Sequence, residues 1–475
     1  MRTAVLTVLA LSQALALSGC FVSRVDPQKP ELPLPEALPA PTAVTSELPD
    51  PWWKIFADPK LDSLVDEALA HNPDVAVAAA RVAQARAGLR ITNAARFPTV
   101  DLQGNVMRAK DSALVTAPGI SLEGTVYNVQ GAVGFELDLW GKYLSASQSA
   151  RAQLLNTEYG REATKLSLTG DVARGYFGLI AAAQQLARGR DTLASREESL
   201  RIEKLRFDAG ESDEFTFKRA EADAAATRKS VHQLELELVE RSNFLGVLLG
   251  HSPKDLVDNA IASPRTELPS AVVLPAALPS SVMQRRPDIG AAEAALDSSA
   301  ADIGVARAQL FPSISLTGAF GSVSPQLDDL FTKPSEAWSI AGNLLQPIFE
   351  GGRLRANVSR AEAVREQRKA EYGKTVQGAF REVLDALQGQ VLIAGVSDAN
   401  AQQVDALARA LELAEFRYKQ GDIAYLDLLD VRRGLYQAQI DLVAAQRDAL
   451  LNTVDLALAI GGSLGERAEP LSARR

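Results

Sequence analysis

Cysteine is all but missing: the 475 residues hold one, Cys20, so no disulfide can form within a single chain. Histidine is almost as scarce. His71, His232 and His251 are scattered, and none has the His-Glu-x-x-His spacing of a zinc site. No nucleophile elbow set between a strand and a helix is read, and no phosphate-cradling glycine loop. An enzyme of the cell envelope would lack its reactive residues, and no metal or cofactor is expected. Nor is there a basic excess: 50 Lys and Arg stand against 59 Asp and Glu, a formal charge of −9. Without a basic stripe interleaved with aromatics, nucleic acid is excluded as a partner. Past the amino terminus, no run reaches the roughly 18 apolar residues that a transmembrane helix needs.

What is present begins at the amino terminus. Arg2 precedes an apolar run from about Ala4 to Leu17, too short to span a bilayer and laid out like a signal peptide covering residues 1–19. Leu17-Ser18-Gly19-Cys20 resembles a bacterial lipobox, which predicts that the mature chain starts at Cys20 and carries covalent lipid there. The competing reading is an ordinary secretory signal with a chance cysteine. Residues 20–51 hold Pro27, Pro30, Pro33, Pro35, Pro39, Pro41, Pro49 and Pro51. Proline at that density keeps backbone extended and semi-rigid, so the segment reads as a tether between lipid and folded body.

The body is written twice. Pro73 and Pro287, Pro98 and Pro312, and Gly104 and Gly318 each stand 214 positions apart. Farther on, Gly141 and Gly352, Arg206-Phe207 and Arg417-Tyr418, Gly210 and Gly421, and Gly250 and Gly461 stand 211 apart. So regular a series marks an internal repeat, with copies over 52–265 and 266–462 and a tail at 463–475.

Each copy contains a pair of segments with period-two alternation, about 99–139 in the first and about 313–349 in the second. Val100, Leu102 and Val106 alternate with Asp101, Gln103 and Asn105; Val129, Val133, Phe135 and Leu137 alternate with Asn128, Gln130 and Glu136. Ile314, Leu316 and Phe320, then Trp338, Ile340 and Leu344, repeat the pattern. These are strands with one apolar and one polar face. A membrane barrel has that alternation, and so does a half-buried soluble sheet. Each strand pair leads into a long proline-free stretch, a helical hairpin over about 141–250 and another over about 352–461. Val404, Leu407, Leu411, Ala414 and Tyr418 step by three and four, as do Leu428, Val431, Leu435, Ala438 and Leu442. Gly160, Gly170, Gly175 and Gly178 weaken helix propensity, and Leu234-Glu235-Leu236-Glu237-Leu238 alternates like a strand, but the second copy keeps the helical spacing. Gly210 and Gly421 mark where each hairpin reverses. The fold is therefore mainly α with a β membrane part. Four strands leave two open edges, which lipid does not tolerate, so other chains must close the sheet; three protomers would make a 12-stranded β-barrel continued by an α-barrel.

The lipobox, Trp52-Trp53-Lys54-Ile55-Phe56, Leu61 to Asn72, both Phe-Pro pairs and Arg417-Tyr418-Lys419-Gln420-Gly421 together resemble the outer-membrane efflux factors (TolC-like). The likeness is to the lipoprotein branch that serves resistance-nodulation-division pumps. It implies a homotrimeric outer-membrane exit duct reaching into the periplasm, partnered by a periplasmic adaptor and an inner-membrane transporter. It also places Leu426, Asp427 and Asp430 on the family's pore constriction and Arg433 near the polar contacts that restrain it. The tips around Arg206, Gly210, Arg417 and Gly421 become the expected adaptor contacts. Asp427 and Asp430 share a helix face, which without the resemblance reads as an ordinary solvated face. A duct for type I protein secretion is an alternative within this class. A periplasm-spanning structural coiled-coil lipoprotein is one outside it, and the amphipathic strands count against that spacer.

Overall fold

The computed structural model describes residues 25–30, 49, 51–110, 123–258, 267–272 and 285–462. The signal segment, Cys20 with its lipobox, most of the tether and the tail at 463–475 lie outside the described residues. A 3-10 helix (Trp52–Phe56) leads into α1 (Pro59–His71), α2 (Pro73–Ala94), β1 (Thr99–Lys110), β2 (Glu123–Leu137), α3 (Lys142–Asp208) and α4 (Glu214–Leu248). After a short α5 (Pro253–Asp258) the order recurs as α6 (Pro287–Ala308), β3 (Ser313–Ser324), β4 (Glu336–Leu345), α7 (Arg353–Gln420) and α8 (Tyr425–Ala459). Helix α3 has 67 residues and α7 has 68, while α4 and α8 have 35 each, so the sequence repeat is a repeat of structure. At 1.5 Å per residue the longer pair each run about 100 Å. Leu234 to Leu238 lies inside α4 as helix.

The described residues form two compact units, one lying within 1–31, 81–157 and 291–373, the other within 32–80, 158–290 and 374–475. The first holds a four-stranded antiparallel sheet in the order β1-β2-β3-β4. Val100 faces Val133, Val133 faces Gly318, and Gly318 faces Ile340 across the three ladders. That register collects Val100, Leu102, Val106, Phe135, Leu316, Phe320, Trp338, Ile340 and Leu344 on one face. Asp101, Gln103, Asn105, Asn128, Gln130, Thr317, Ser339 and Asn343 share the other. The apolar face is bare: Leu102 is 81% exposed, Trp338 73% and Ile340 82%. A half-buried soluble sheet would cover these residues, since burying each such side chain contributes about 1.5–3 kcal/mol. The alternation therefore marks a lipid-facing surface. β4 stops at Leu345, short of 349, because Pro347 has no N–H to continue the ladder.

The second unit is held by a core of Trp52, Phe56, Leu61, Val65, Tyr176, Phe177, Ile180, Leu245, Val383, Leu450 and Val454. Trp52 donates from Nε1 to Thr169 Oγ1 at 3.0 Å, and Phe56 meets Phe177 edge to face at 4.8 Å. Buried Asp58 caps α1, accepting from the Lys60 and Leu61 amides, with Pro59 fitting the first helical position. Tyr176 Oη donates to the same carboxylate at 2.9 Å, so the cap also fastens α1 to α3. The two repeats end in one kind of joint. Asn72 Nδ2 donates to the Leu248 carbonyl at 2.9 Å and Arg286 Nη1 to the Ala459 carbonyl at 3.0 Å, each serving an otherwise unmet helix terminus. Gly170 looks wrong for a helix until its neighbour is seen: a Cβ there would collide with Leu458, so the residue admits close helix packing.

Candidate functional site

The hairpin tips are built by glycine. Gly210 has φ +75° and Gly421 φ +81°, a left-handed turn that glycine adopts without steric cost. The Glu211 amide then donates back to the Arg206 carbonyl at 2.8 Å, and the Asp422 amide to the Arg417 carbonyl at 2.9 Å. Arg206 and Arg417 thus supply the acceptors that close α3 and α7.

The tips differ in their side chains. In the first, Asp213 caps α4 by accepting from the Thr216 amide at 2.7 Å, which holds its carboxyl below the usual carboxylate range. Phe207 stacks on Phe217 at 5.4 Å, and exposed Phe215 lies 5.3 Å beneath the Arg219 guanidinium. In the second, Asp427 accepts from the Ala424 amide at 3.1 Å. Ala424 has no side-chain acceptor to return the bond, so half a capping box forms. Asp427 and Asp430 are exposed, and Leu426 is 40% exposed beside them. The pair stays solvated at the start of α8, and part of Asp427's role is to hold that helix end.

Two polar joints tie the hairpins together. Tyr418 Oη donates to Glu203 Oε1 at 2.6 Å and accepts from Arg206 Nη1 at 2.9 Å. Burial, then the Glu203 carboxylate, push the Tyr418 hydroxyl well above its ordinary pKa. Glu203 itself is 2% exposed and also accepts from Ser212 Oγ. At the second joint, Arg433 Nε donates to Asp223 Oδ1 at 3.0 Å, while Arg196 Nε stands 3.0 Å from Asp223 Oδ2. Arg432 donates to Ser199 Oγ at 2.8 Å and to Glu415 Oε1 at 2.9 Å. The geometry therefore brings Arg206 to Tyr418 and sends Arg433 to Asp223 rather than to Asp427 or Asp430. Glu203, Asp223, Arg196 and Arg432 did not stand out in the sequence. A weak signal existed for Tyr418, whose counterpart Phe207 lacks the hydroxyl. Nothing on a solvated-looking helix face singles out Glu203 or Asp223. Among the described residues, no group of three His, Cys, Asp or Glu could hold a metal ion.

A sheet sorted into one lipid-facing and one polar face, with two long helical hairpins closed at glycine-turned tips, defines a membrane-duct protein. The comparisons specify which kind. The chain matches the outer membrane efflux protein family over residues 64–251 and 278–462 and belongs to it. It is 35% identical over 458 residues to the solvent efflux pump outer membrane protein SrpC of Pseudomonas putida, covering 94% of this chain and 96% of that one. The probable outer membrane lipoprotein SilC of Salmonella typhimurium is 30% identical over 467 residues, with 96% and 98% covered. The crystal structure of the Campylobacter jejuni CmeC outer membrane channel superposes with a TM-score of 0.87 at 27% identity, covering 94% of this chain and 97% of that one. The protein is an outer-membrane efflux channel, and its fold class is the one expected from the repeat.

Proposed function

We propose that this chain is the passive exit duct of a tripartite efflux pump and works as a homotrimer anchored by lipid on Cys20. The observation that carries the assembly is the sheet with a bare apolar face and, among the described residues, β1 and β4 as its open edges. Three copies close those edges into twelve strands, with Asp101, Gln103, Asn105 and their neighbours lining water. A periplasmic adaptor docks around the tips at Gly210 and Gly421, and a resistance-nodulation-division transporter supplies the cargo. Small solutes are the cargo class, in keeping with SrpC, which is named for solvent efflux. SilC, named a probable lipoprotein, supports the anchor. At the second tip, Asp427 and Asp430 from three chains form the acidic constriction, with Leu426 occluding it. The Glu203–Tyr418–Arg206 and Asp223–Arg433 joints hold that tip against the first hairpin. Mass measurement of the detergent-solubilised protein should give three chains. Recovery as monomer or dimer alone would refute the barrel closure.

A further inference from the structure

Behind the second joint lies a cavity of about 220 Å³ lined by Arg188, Thr192, Ser195, Arg196, Arg432 and Tyr436, among others. Its walls come from α3, α7 and α8, so whatever fills it touches three helices at once. Arg196 is the unusual member. Its side chain is 5% exposed, and its one bonded partner among the described residues is Asp223, reached through Nε. The contact is one of charge: neither Arg196 Nε nor Asp223 Oδ2 makes a well-aligned hydrogen bond. Among the described residues, the two terminal nitrogens of this guanidinium have no hydrogen-bond acceptor, and unlike Nε they are not sealed from solvent. Asp223 is moreover shared with Arg433, so one buried carboxylate faces two guanidinium groups. Arg432 does not redress the balance, because Glu415 already neutralises it. Asp191, the remaining carboxylate of the lining, sits on the exposed side. Burial pushes the Arg196 guanidinium below its ordinary pKa, as an incompletely compensated buried cation requires.

We propose that this cavity is a binding site for a small oxyanion of the phosphate or sulfate type, held by the terminal nitrogens of Arg196 and the hydroxyls of Thr192 and Ser195. A planar guanidinium fork matches two oxygens of such an anion, and hydroxyl donors serve the rest. A dry apolar filling would leave the fork unmet. The bound anion supplies the missing negative charge beside Asp223 and links α3 to the first turns of α8, where Arg432 lies two residues past Asp430. Occupancy then stabilises the packed arrangement of the two hairpins by mass action.

The test is isothermal titration of sodium phosphate into the full-length protein in detergent, at fixed ionic strength with gluconate as the background anion. Saturable binding of one phosphate per chain is expected, and it should be lost in Arg196→Met. Because that variant disturbs the Asp223 pair, Thr192→Val combined with Ser195→Ala serves as the second probe. It should weaken binding by about tenfold while leaving trimer size and circular dichroism unchanged. A selenate soak should place anomalous density beside Arg196. No saturable binding by the unaltered protein would overturn the proposal, as would binding unchanged in the hydroxyl variant. Displacement of phosphate by an equal concentration of chloride would overturn the oxyanion assignment.

Discussion

Asp223→Asn tests how the hairpins are fastened. Asp223 is 5% exposed on its side chain and faces Arg196, equally buried, and Arg433, whose side chain is 51% exposed. Removing the negative charge leaves the Arg196 guanidinium buried without its counter-ion. Breaking a buried pair from one side costs about 3–5 kcal/mol. The Arg433 arm is largely solvated, and an exposed pair of that kind contributes about 0.2–1 kcal/mol. Since about 1.4 kcal/mol is tenfold, Asp223→Asn should raise local opening of the tip roughly a hundredfold or more, and Arg433→Gln about fivefold at most. Hydrogen exchange on the amides from Leu428 to Arg433, measured on the protein in detergent, reports this opening directly. Single-channel recording in planar bilayers gives the functional counterpart, with more frequent conducting events in the Asp223 variant. If Arg433→Gln loosens the tip as much as Asp223→Asn, the burial argument is wrong and the exposed arm is the fastening.

Cys20→Ser should abolish labelling by a fatty-acid probe; label retained on the variant would remove the lipobox reading. Asp427→Ala with Asp430→Ala should lower cation preference in the reversal potential, and an unchanged preference would place both residues off the pore. The Tyr418 hydroxyl has a folded pKa raised above its ordinary value of about 10. Its contribution is therefore complete below that ordinary value and is lost as pH rises toward the folded one. Tip protection should fall above about pH 10 in the unaltered protein and show no such step in Tyr418→Phe. Gly170→Leu should destabilise the second unit, since its side chain would have to displace Leu458; a melting temperature left unchanged would show that α3 can shift to admit it.

The strands and long helices were legible because each rests on a period that one-dimensional sequence preserves. Val100, Leu102 and Val106 lie on the bare face because strands alternate, and Gly210 and Gly421 turn because glycine alone adopts φ near +80° freely. The doubling strengthened both readings, since the second copy carried the spacing where the first was ambiguous. The joints were not legible. Glu203 and Asp223 are acidic residues on helices rich in charge, and the partners that reach them from the other hairpin, Tyr418 and Arg433, lie 210 or more positions away. The glycines of α3 weaken its local propensity without breaking the helix, and at Gly170 and Gly178 the reason for glycine lies in the neighbouring side chains Leu458 and Arg241. Arg433 was expected among the restraining contacts, yet its partner on α4 could not be named before the hairpins were in place.

The two hairpins also show how one backbone is given opposite tasks. Shifted by 211 positions, Arg196 and Asp223 of the first repeat correspond to Leu407 and Gly434 of the second. The crossing that carries a buried ion pair in one repeat is therefore an aliphatic contact in the other, where a Cβ on Gly434 would meet Leu407 at 3.6 Å. Both solutions fill the crossing, but they respond differently to force. A leucine over a glycine is nonspecific in direction and can slide without leaving a charge unmet. An ion pair at 3.0 Å with both partners 5% exposed is costly to break from one side, because the charge left behind stays buried and unpaired. Arg433 reaches from the second hairpin into that pair, so the hairpin with the simple internal crossing is fastened by the polar one of its neighbour. Tyr418 and Glu203 repeat the arrangement nearer the tip, where Phe207 and Ala414 hold the corresponding places and carry no polar group. The second hairpin thus crosses itself through Leu407 and Gly434, keeps the Arg432–Glu415 pair between its own helices, and reaches the first hairpin through Tyr418, Arg432 and Arg433.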